Sequence, residues 1–308
     1  MNAPAEEPLA ELRQAGFAIA YRMLGSVTEA EDVAQEAVLR FHRASEEEDQ
    51  RIESPRAFVA TVATRLAIDQ LRSARVRRET YVGEWLPEPL VTDPEEDPAG
   101  RAEMADSLSM AFLTLLESLS PEQRAVFLLR DVFDYGYDEI APNVGKSEPA
   151  LRQLASRARR HVEEGRPRFE ASREERDELA RRFFAATQAG DLDGLRALLA
   201  EDVVLHGDGG GKVPALARSL HGSRRVATTL VAWARHGARL PGFEIRPSEV
   251  NGQPGGVLLD GEGRVISVMA LDIADGQIQG VRSIVNPDKL AHVGPVADMR
   301  ALLARRRT

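Results

Sequence analysis

The chain has 308 residues, 43% of them hydrophobic, and no cysteine. That is long enough for two or more folded units, and it excludes disulfides, thiolate metal sites and thiol nucleophiles together. A formal net charge of −9 opposes unaided binding to DNA, whose affinity comes largely from neutralised phosphates, so any nucleic-acid role has to rest on local basic clusters. Met1 to Leu9 is acidic and unlike a signal peptide. No apolar run approaches the roughly 20 residues that cross a bilayer. A cytoplasmic protein without membrane contact is expected.

From Pro8 to Arg78 the pattern is helical, with turn signals near Gly25-Ser26 and Ser54-Pro55. In the stretch Thr28 to Ala44, Thr28 and Glu31 have capping-box spacing. Ala30, Val33, Ala34, Ala37, Val38 and Phe41 share one face at helical period. The other face carries Asp32, Gln35, Glu36 and Arg43, with Leu39 in its middle. It is either a solvated acidic face with one scattered leucine or a docking face for a basic partner with Leu39 as anchor. In Ser54 to Arg78, Ser54 suits the cap and Pro55 the first helical position. Phe58, Val62, Leu66 and Leu71, helped by Val59 and Ile68, are the expected core stripe. Arg65, Asp69 and Arg72 lie opposite, and Arg75, Arg77 and Arg78 make a cationic end suited to phosphate.

Tyr81 to Gly100 is rich in Pro, Glu and Asp and reads as a linker. Helices resume from Arg101 to about Glu164. Ser120 and Pro121 open one. A short helix over Tyr137 to Val144 follows, with Asp138 as a cap; Pro142 fits if that helix begins at Glu139. Gly145 makes a turn, and Ser147 caps a helix from Glu148 to about Val162. This is a helix–turn–helix pattern. Ala150, Leu151, Leu154, Ala158 and Val162 face inward; Arg152, Gln153, Ser156, Arg159 and Arg160 face outward, with Arg157 at the edge. Arg and Gln on such a face match the hydrogen-bonding edges of guanine and adenine in the major groove.

After Gly165-Arg166-Pro167 the texture changes again. An amphipathic helix is expected over Arg173 to Ala189, then a short helix to Leu199 and a strand from Val203 to His206. Strands follow at Gly255 to Leu259, Val265 to Ile273 and Ile278 to Val285, with hairpin turns at Asp260-Gly261 and Asp275-Gly276. His206, Asp208, His221, Trp233 and Asp272 are candidates to line a cavity, but no spacing marks a catalytic pair. Gly209-Gly210-Gly211-Lys212 lacks the spacing of a phosphate loop. No catalytic residue, metal site or cofactor is assigned.

The segment Glu29 to Arg40 resembles the polymerase-binding helix of sigma factors. Ser54 to Arg78 resembles the helix that opens and reads the −10 promoter element, and Leu119 to Val162 the domain that reads the −35 element. Two such domains joined by a short linker are the extracytoplasmic-function (ECF) type, and the resemblance covers about the first 165 residues. Tyr81-Val-Gly-Glu-Trp-Leu-Pro-Glu-Pro-Leu90, Asp208 to Lys212 and Asn286-Pro-Asp-Lys-Leu290 resemble the subgroup with a C-terminal SnoaL-like domain.

The resemblance implies a multidomain chain. Two all-α domains, residues 1–80 and 101–165 around a linker 81–100, precede an α+β cone like nuclear transport factor 2 with a curved, mostly antiparallel sheet (172–291) and a tail (292–308). It implies core RNA polymerase and promoter DNA as partners, a chain that is monomeric when free, and control by the appended domain. Asp32, Gln35, Glu36, Leu39 and Arg40 would contact polymerase. Arg65, Asp69, Arg72, Arg75, Arg77 and Arg78 would hold the −10 strand, and Lys146, Ser147, Arg152, Gln153, Ser156, Arg157 and Arg160 the −35 element. Tyr81, Trp85, Leu86 and Pro87 would meet Asp208, Gly209, Gly210, Gly211, Lys212, Asn286, Pro287, Asp288, Lys289 and Leu290. Arg65 and Asp69 stand where a number of relatives have asparagine, and Pro142 and Pro149 are unusual. Two alternatives stay open: a polymerase-independent helix–turn–helix regulator whose C-terminal domain senses an unknown small ligand or is a vestigial enzyme, and a pocket enzyme with a DNA-binding appendage.

Overall fold

The computed structural model describes residues 8–47, 52–92, 105–165 and 172–304, without the side chains of 74–79, 105–106, 300 and 303–304. In chain order it contains α1 (Leu9–Leu24), α2 (Val27–Glu46), α3 (Pro55–Glu79), β1 (Val91–Thr92), α4 (Ala105–Leu108), α5 (Met110–Leu116) and α6 (Pro121–Phe127). A π-helical turn (Leu128–Val132) leads to α7 (Tyr137–Val144), α8 (Glu148–Gly165), α9 (Arg173–Ala189) and α10 (Leu192–Leu198). Then come β2 (Leu199–Asp208), β3 (Leu220–His221), α11 (Ser223–Gly237), β4 (Glu244–Val250), β5 (Gln253–Leu259), β6 (Val265–Ala274), β7 (Gln277–Ile284), α12 (Pro287–Leu290) and α13 (Met299–Ala304). Two compact units result: Met1–Glu79 with Leu113–Arg166, and Thr80–Phe112 with Pro167–Thr308.

In the first unit α1, α2 and α3 pack through small residues. A Cβ on Gly16 would lie 3.2 Å from Val59 Cγ1 and 3.5 Å from Ala34 Cα. Val59, Ala60, Ala63, Ala67, Ile68 and Leu71 are the buried line of α3. Of the expected stripe, Leu71, Val59 and Ile68 are buried, but Phe58, Val62 and Leu66 are only half-buried and Ala60, Ala63 and Ala67 take their place; alanines allow a closer approach than the large residues would. Ser26, rather than Thr28, caps α2, its Oγ accepting from Glu29 N at 3.2 Å. The Ser120–Gln123 capping box opens α6.

Arg124 on α6 is buried. Its Nε donates to the Arg22 carbonyl at 3.1 Å, and its guanidinium pairs with Glu117. That carbonyl is in the last turn of α1, where backbone acceptors lack helical partners and a cation is favoured. Burial pushes the Arg124 guanidinium down to about 9 and that of Arg22 to about 10; both stay charged at neutral pH. Arg22 also lies over the Phe133 ring, 5.3 Å from its centroid.

Helix α7 begins at Tyr137, two residues earlier than Pro142 allows for a first-turn position, and Gly136 rather than Asp138 is its cap. Pro142 is therefore inside the helix and removes one backbone bond. Glu139 compensates at the start by accepting from Gly136 N at 2.7 Å. Gly145 ends the helix with φ 68°.

The second unit is built on one sheet, ordered β1-β4-β5-β6-β7-β2-β3, antiparallel except where β2 meets β7. One face carries Val203, Leu205, Met269, Leu271, Ile273 and Val281 against α9, α10 and α11 through Phe183, Leu195, Val226 and Leu230. The other carries Val257, Leu259, Val268, Ala270 and Ile284, and Leu86, Met110 and Leu290 cover it. Asn251-Gly252 and Asp275-Gly276, each pair with positive φ, form the two-residue turns that suit sheet twist.

The segment read as a spacer is part of this unit. Leu86 is fully buried, and Val91 and Thr92 pair with Val250 and Glu249. Proline does exclude helix there, but it does not keep the chain from packing; residues 93–100 lie outside the described residues. Replacing Gly16 with Val should overpack the α1–α3 contact and cost about 1–3 kcal/mol, read as a lower urea midpoint for the first unit.

Candidate functional site

Three surfaces concern function. On α2, Asp32, Gln35, Leu39 and Arg40 are exposed and Glu36 is half-exposed. Arg40 Nε donates to Glu36 Oε1 at 2.7 Å, one helical turn away. Leu39 is 41% exposed amid these polar groups, which burial within the first unit does not explain.

On α8, Arg152, Gln153, Ser156, Arg157 and Arg160 are exposed, as are Lys146 and Ser147 in the turn before it. Leu151, Ala155, Ala158 and Val162 face the core. Arg152 is steadied by Glu148 Oε2 at 2.8 Å and by the Tyr137 ring, 4.9 Å from its centroid. Arg159 instead turns to Asp131 Oδ1 at 2.6 Å, which takes it off the open face.

Helix α3 differs. Arg65 Nη2 donates to the Pro142 carbonyl of α7 at 2.6 Å, and Arg72 Nη2 to Glu122 Oε1 of α6 at 2.7 Å. Arg72 Nη1 also reaches Asp69 Oδ1 at 3.3 Å. The hydrogen bond to Glu122 raises the pKa of Arg72, and the same bond holds the Glu122 carboxyl below its usual range. So two arginines on the polar face of α3 are partnered, Arg65 by α7 of the helix–turn–helix and Arg72 by α6 before it. Arg75, Arg77 and Arg78 belong to the stretch whose side chains are not described.

The third surface is a clasp inside the second unit. Asp208, at the end of β2, is fully buried. Its carboxylate accepts from Tyr81 Oη at 2.5 Å, Leu86 N at 2.8 Å, Gly210 N at 3.0 Å and Lys289 Nζ at 2.7 Å. Lys289, itself buried, also donates to the Leu86 carbonyl and lies 4.3 Å from the Trp85 ring centroid and 5.0 Å from that of Tyr81. Desolvation, then the hydrogen bond to Asp208, push the Tyr81 hydroxyl pKa up. Asn286 Nδ2 donates to Tyr81 Oη at 2.9 Å while its own oxygen caps α12.

The glycines beside Asp208 have a steric reason. Gly210 (φ 58°) has no room for a Cβ, which would lie 2.3 Å from Asn286 Nδ2. One on Gly211 (φ 70°) would lie 2.9 Å from Val82 Cβ. Lys212 and Asp288 form an exposed pair at 2.5 Å. Pro87 and Leu290 are buried nearby. Sequence reasoning missed Asn251 and Glu84, which also hold this segment: Asn251 Oδ1 accepts from Leu90 N at 2.9 Å, and Glu84 lies 2.6 Å from His206 Nδ1. The Asn-Gly pair at 251–252 was a readable turn signal; nothing in sequence marks Glu84.

The five cavity candidates do not gather. Asp208 belongs to the clasp, His206 to Glu84, and Asp272 to a buried pair with Arg282 Nε at 3.0 Å. His221 and Trp233 are exposed. Among the described residues no cluster of three or more His, Cys, Asp or Glu could hold a metal. No helix there is long and apolar enough to cross a membrane.

A three-helix block with an exposed acidic face, a helix–turn–helix with an arginine face, and an α+β domain that grips the segment between them point to a DNA-binding transcription factor with an appended α+β domain. Comparisons narrow the class. Residues 10–77 match the sigma-70 region 2 family, 109–162 sigma-70 region 4, and 180–282 the SnoaL-like domain. The ECF RNA polymerase sigma factor SigJ of Mycobacterium tuberculosis is 39% identical over 94% of this chain and 94% of its own length. The probable ECF RNA polymerase sigma factor SigI of the same organism is 32% identical over 88% and 90%. The crystal structure of M. tuberculosis SigJ superposes with a TM-score of 0.73 at 36% identity, covering 91% of this chain and 96% of that one. The chain belongs to the ECF RNA polymerase sigma factors, and it carries a fused SnoaL-like domain.

Removing the Asp208 carboxylate strands Lys289 in the interior. Asp208→Ala should cost about 3–5 kcal/mol of the second unit's stability and expose residues 80–92 to limited proteolysis. Wild-type stability and protection would show that the clasp holds nothing.

Proposed function

We propose that the chain binds core RNA polymerase through the α2 face, reads promoter −10 and −35 elements through α3 and α8, and is governed by its SnoaL-like domain through the clasped linker. The observation that carries this reading is the capture of the segment between regions 2 and 4 by Asp208, Lys289 and Asn251. In a sigma factor that segment sets how far apart the two DNA-reading regions can stand.

The acidic face of α2 suits a basic polymerase surface, with Leu39 supplying the apolar anchor that such interfaces favour at their centre. A chain of net charge −9 then gains most of its DNA affinity from the polymerase, in the cytoplasm, and has little of its own as a free monomer. Exposed Arg152, Gln153, Ser156 and Arg157 are poised for base edges, with Lys146, Ser147 and Arg160 placed for backbone contacts. Arg65, Asp69 and Arg72 would hold the −10 strand, and an unstacked base there is read by its edge. Their bonds to Pro142 and Glu122 have to break first, so the free chain is in a resting arrangement.

The appended domain acts as a clamp and not as a catalyst. Asp208 and His206 are bound to the linker and Asp272 to Arg282, while His221 and Trp233 lie on the exposed surface.

Run-off transcription with purified core polymerase tests the reading. Specific transcripts should need both proteins, and Leu39→Asp should weaken polymerase binding by at least about tenfold, roughly the worth of one interface anchor. Leu39 is exposed, so the fold survives the change. Tight sequence-specific DNA binding by the chain alone, with no transcript, would overturn the proposal.

A further inference from the structure

Arg282 on β7 is 8% exposed, and its Nε is taken by Asp272. Its Nη1 is buried without a hydrogen-bond partner among the described residues. Burying a cationic donor unmatched costs stability, so each such group in a folded protein calls for an explanation.

Its neighbours supply one. Arg282 is in register with His206 on the adjoining parallel strand β2, so both side chains rise from the same face of the sheet. His206 Nδ1 is 2.6 Å from Glu84 Oε1, and Ser219 Oγ donates to Glu84 Oε2 at 2.9 Å and lies 3.3 Å from His206 Nδ1. Burial would raise the Glu84 pKa, but the bonds to His206 and Ser219, with the charge of Arg282, hold it below its usual range. Glu84 comes from the linker, two residues before Leu86 of the clasp.

We propose that His206, Ser219 and Arg282 form an oxyanion-binding site that the chain fills with its own Glu84, and that a small carboxylate ligand competes with Glu84 for it. Tethered to the backbone, Glu84 satisfies two of the three donor groups. An untethered carboxylate can turn to take the third as well. Asp272 already neutralises part of the Arg282 charge, which favours a monoanionic carboxylate over a phosphate dianion. The site is open to exchange: the Glu84 and His206 side chains keep 24% and 18% of their exposure, and Val82 and Gly83 just before are exposed. Resting on the reading that the linker governs the sigma regions, ligand binding would release one of the linker's holds.

Acetate complementation of the full-length chain tests the site. Glu84→Ala empties it. In 100 mM sodium acetate against sodium chloride at equal ionic strength, the variant's Tm should rise by about 3 °C. The wild type, whose own carboxylate competes, should rise by less than half as much. Adding Ser219→Ala to the variant should at least halve the response. Glu84→Gln, which keeps the shape and loses the charge, should fall between variant and wild type, and decides the matter if Glu84→Ala does not fold. Equal responses in wild type and variants, or a response indifferent to Ser219→Ala, would overturn the proposal. The readout needs no polymerase, so failed transcription would bear on the sigma reading alone, and a failed acetate response on this site alone.

Discussion

The second unit depends on one buried ion pair, Asp208 with Lys289. Two charges removed from water are rarely a bargain in stability; their usual return is a defined arrangement. Here the arrangement includes a third party. The Leu86 amide and carbonyl sit between carboxylate and ammonium, and the Trp85 and Tyr81 rings close around the lysine. Neither charge is fully satisfied without the linker, so the linker is part of the domain's interior. The hydrophobic half of the same contact follows: with Leu86 and Met110 in place, the second face of the sheet is covered by the chain itself.

That constraint matters because of where the chain goes next. It leaves the first unit at Glu79, is bound into the second over the following residues, and returns at Leu113. Within the first unit the region 2 and region 4 helices are packed together, through buried Arg124 on the α1 carboxyl end and through the Arg65 and Arg72 bonds. Exposed ion pairs such as Arg72–Glu122 are individually weak. A polymerase surface or a promoter strand can therefore replace them, while the buried Arg124 contact needs a larger rearrangement.

Much of this was legible in sequence. The helical periods of α2 and α8, the Ser120-Pro121 start, the Gly145 turn and the Asp275-Gly276 hairpin all come from local rules that tertiary structure did not override. In the structure the Gly-rich loop and the Asn286–Leu290 segment meet the linker at Val82, Tyr81 and Leu86, contacts that no local sequence rule encodes. What local rules missed has a common cause. Helix α11 carries Val226, Thr228, Thr229 and Val231, poor helix formers that packing rescues, and β4, which the two-residue β1 covers only at Glu249 and Val250, holds Pro247 and three charges. The α3 stripe was misjudged because large residues drew the eye where alanines made the contact. Glu84 gave no signal, since its partners His206 and Ser219 are 122 and 135 residues away, and Arg282 gave none, since its meaning lies in a neighbouring strand that sequence does not reveal.

Regions 2 and 4 are packed together in the free chain, and the proposed function requires them to separate on polymerase. With no native cysteine, spin labels at Glu46→Cys on α2 and Glu163→Cys on α8, both exposed positions, report that separation by electron–electron resonance. One narrow, short distance is expected in the free protein and a longer one with core polymerase bound. The same distribution in both states would contradict it.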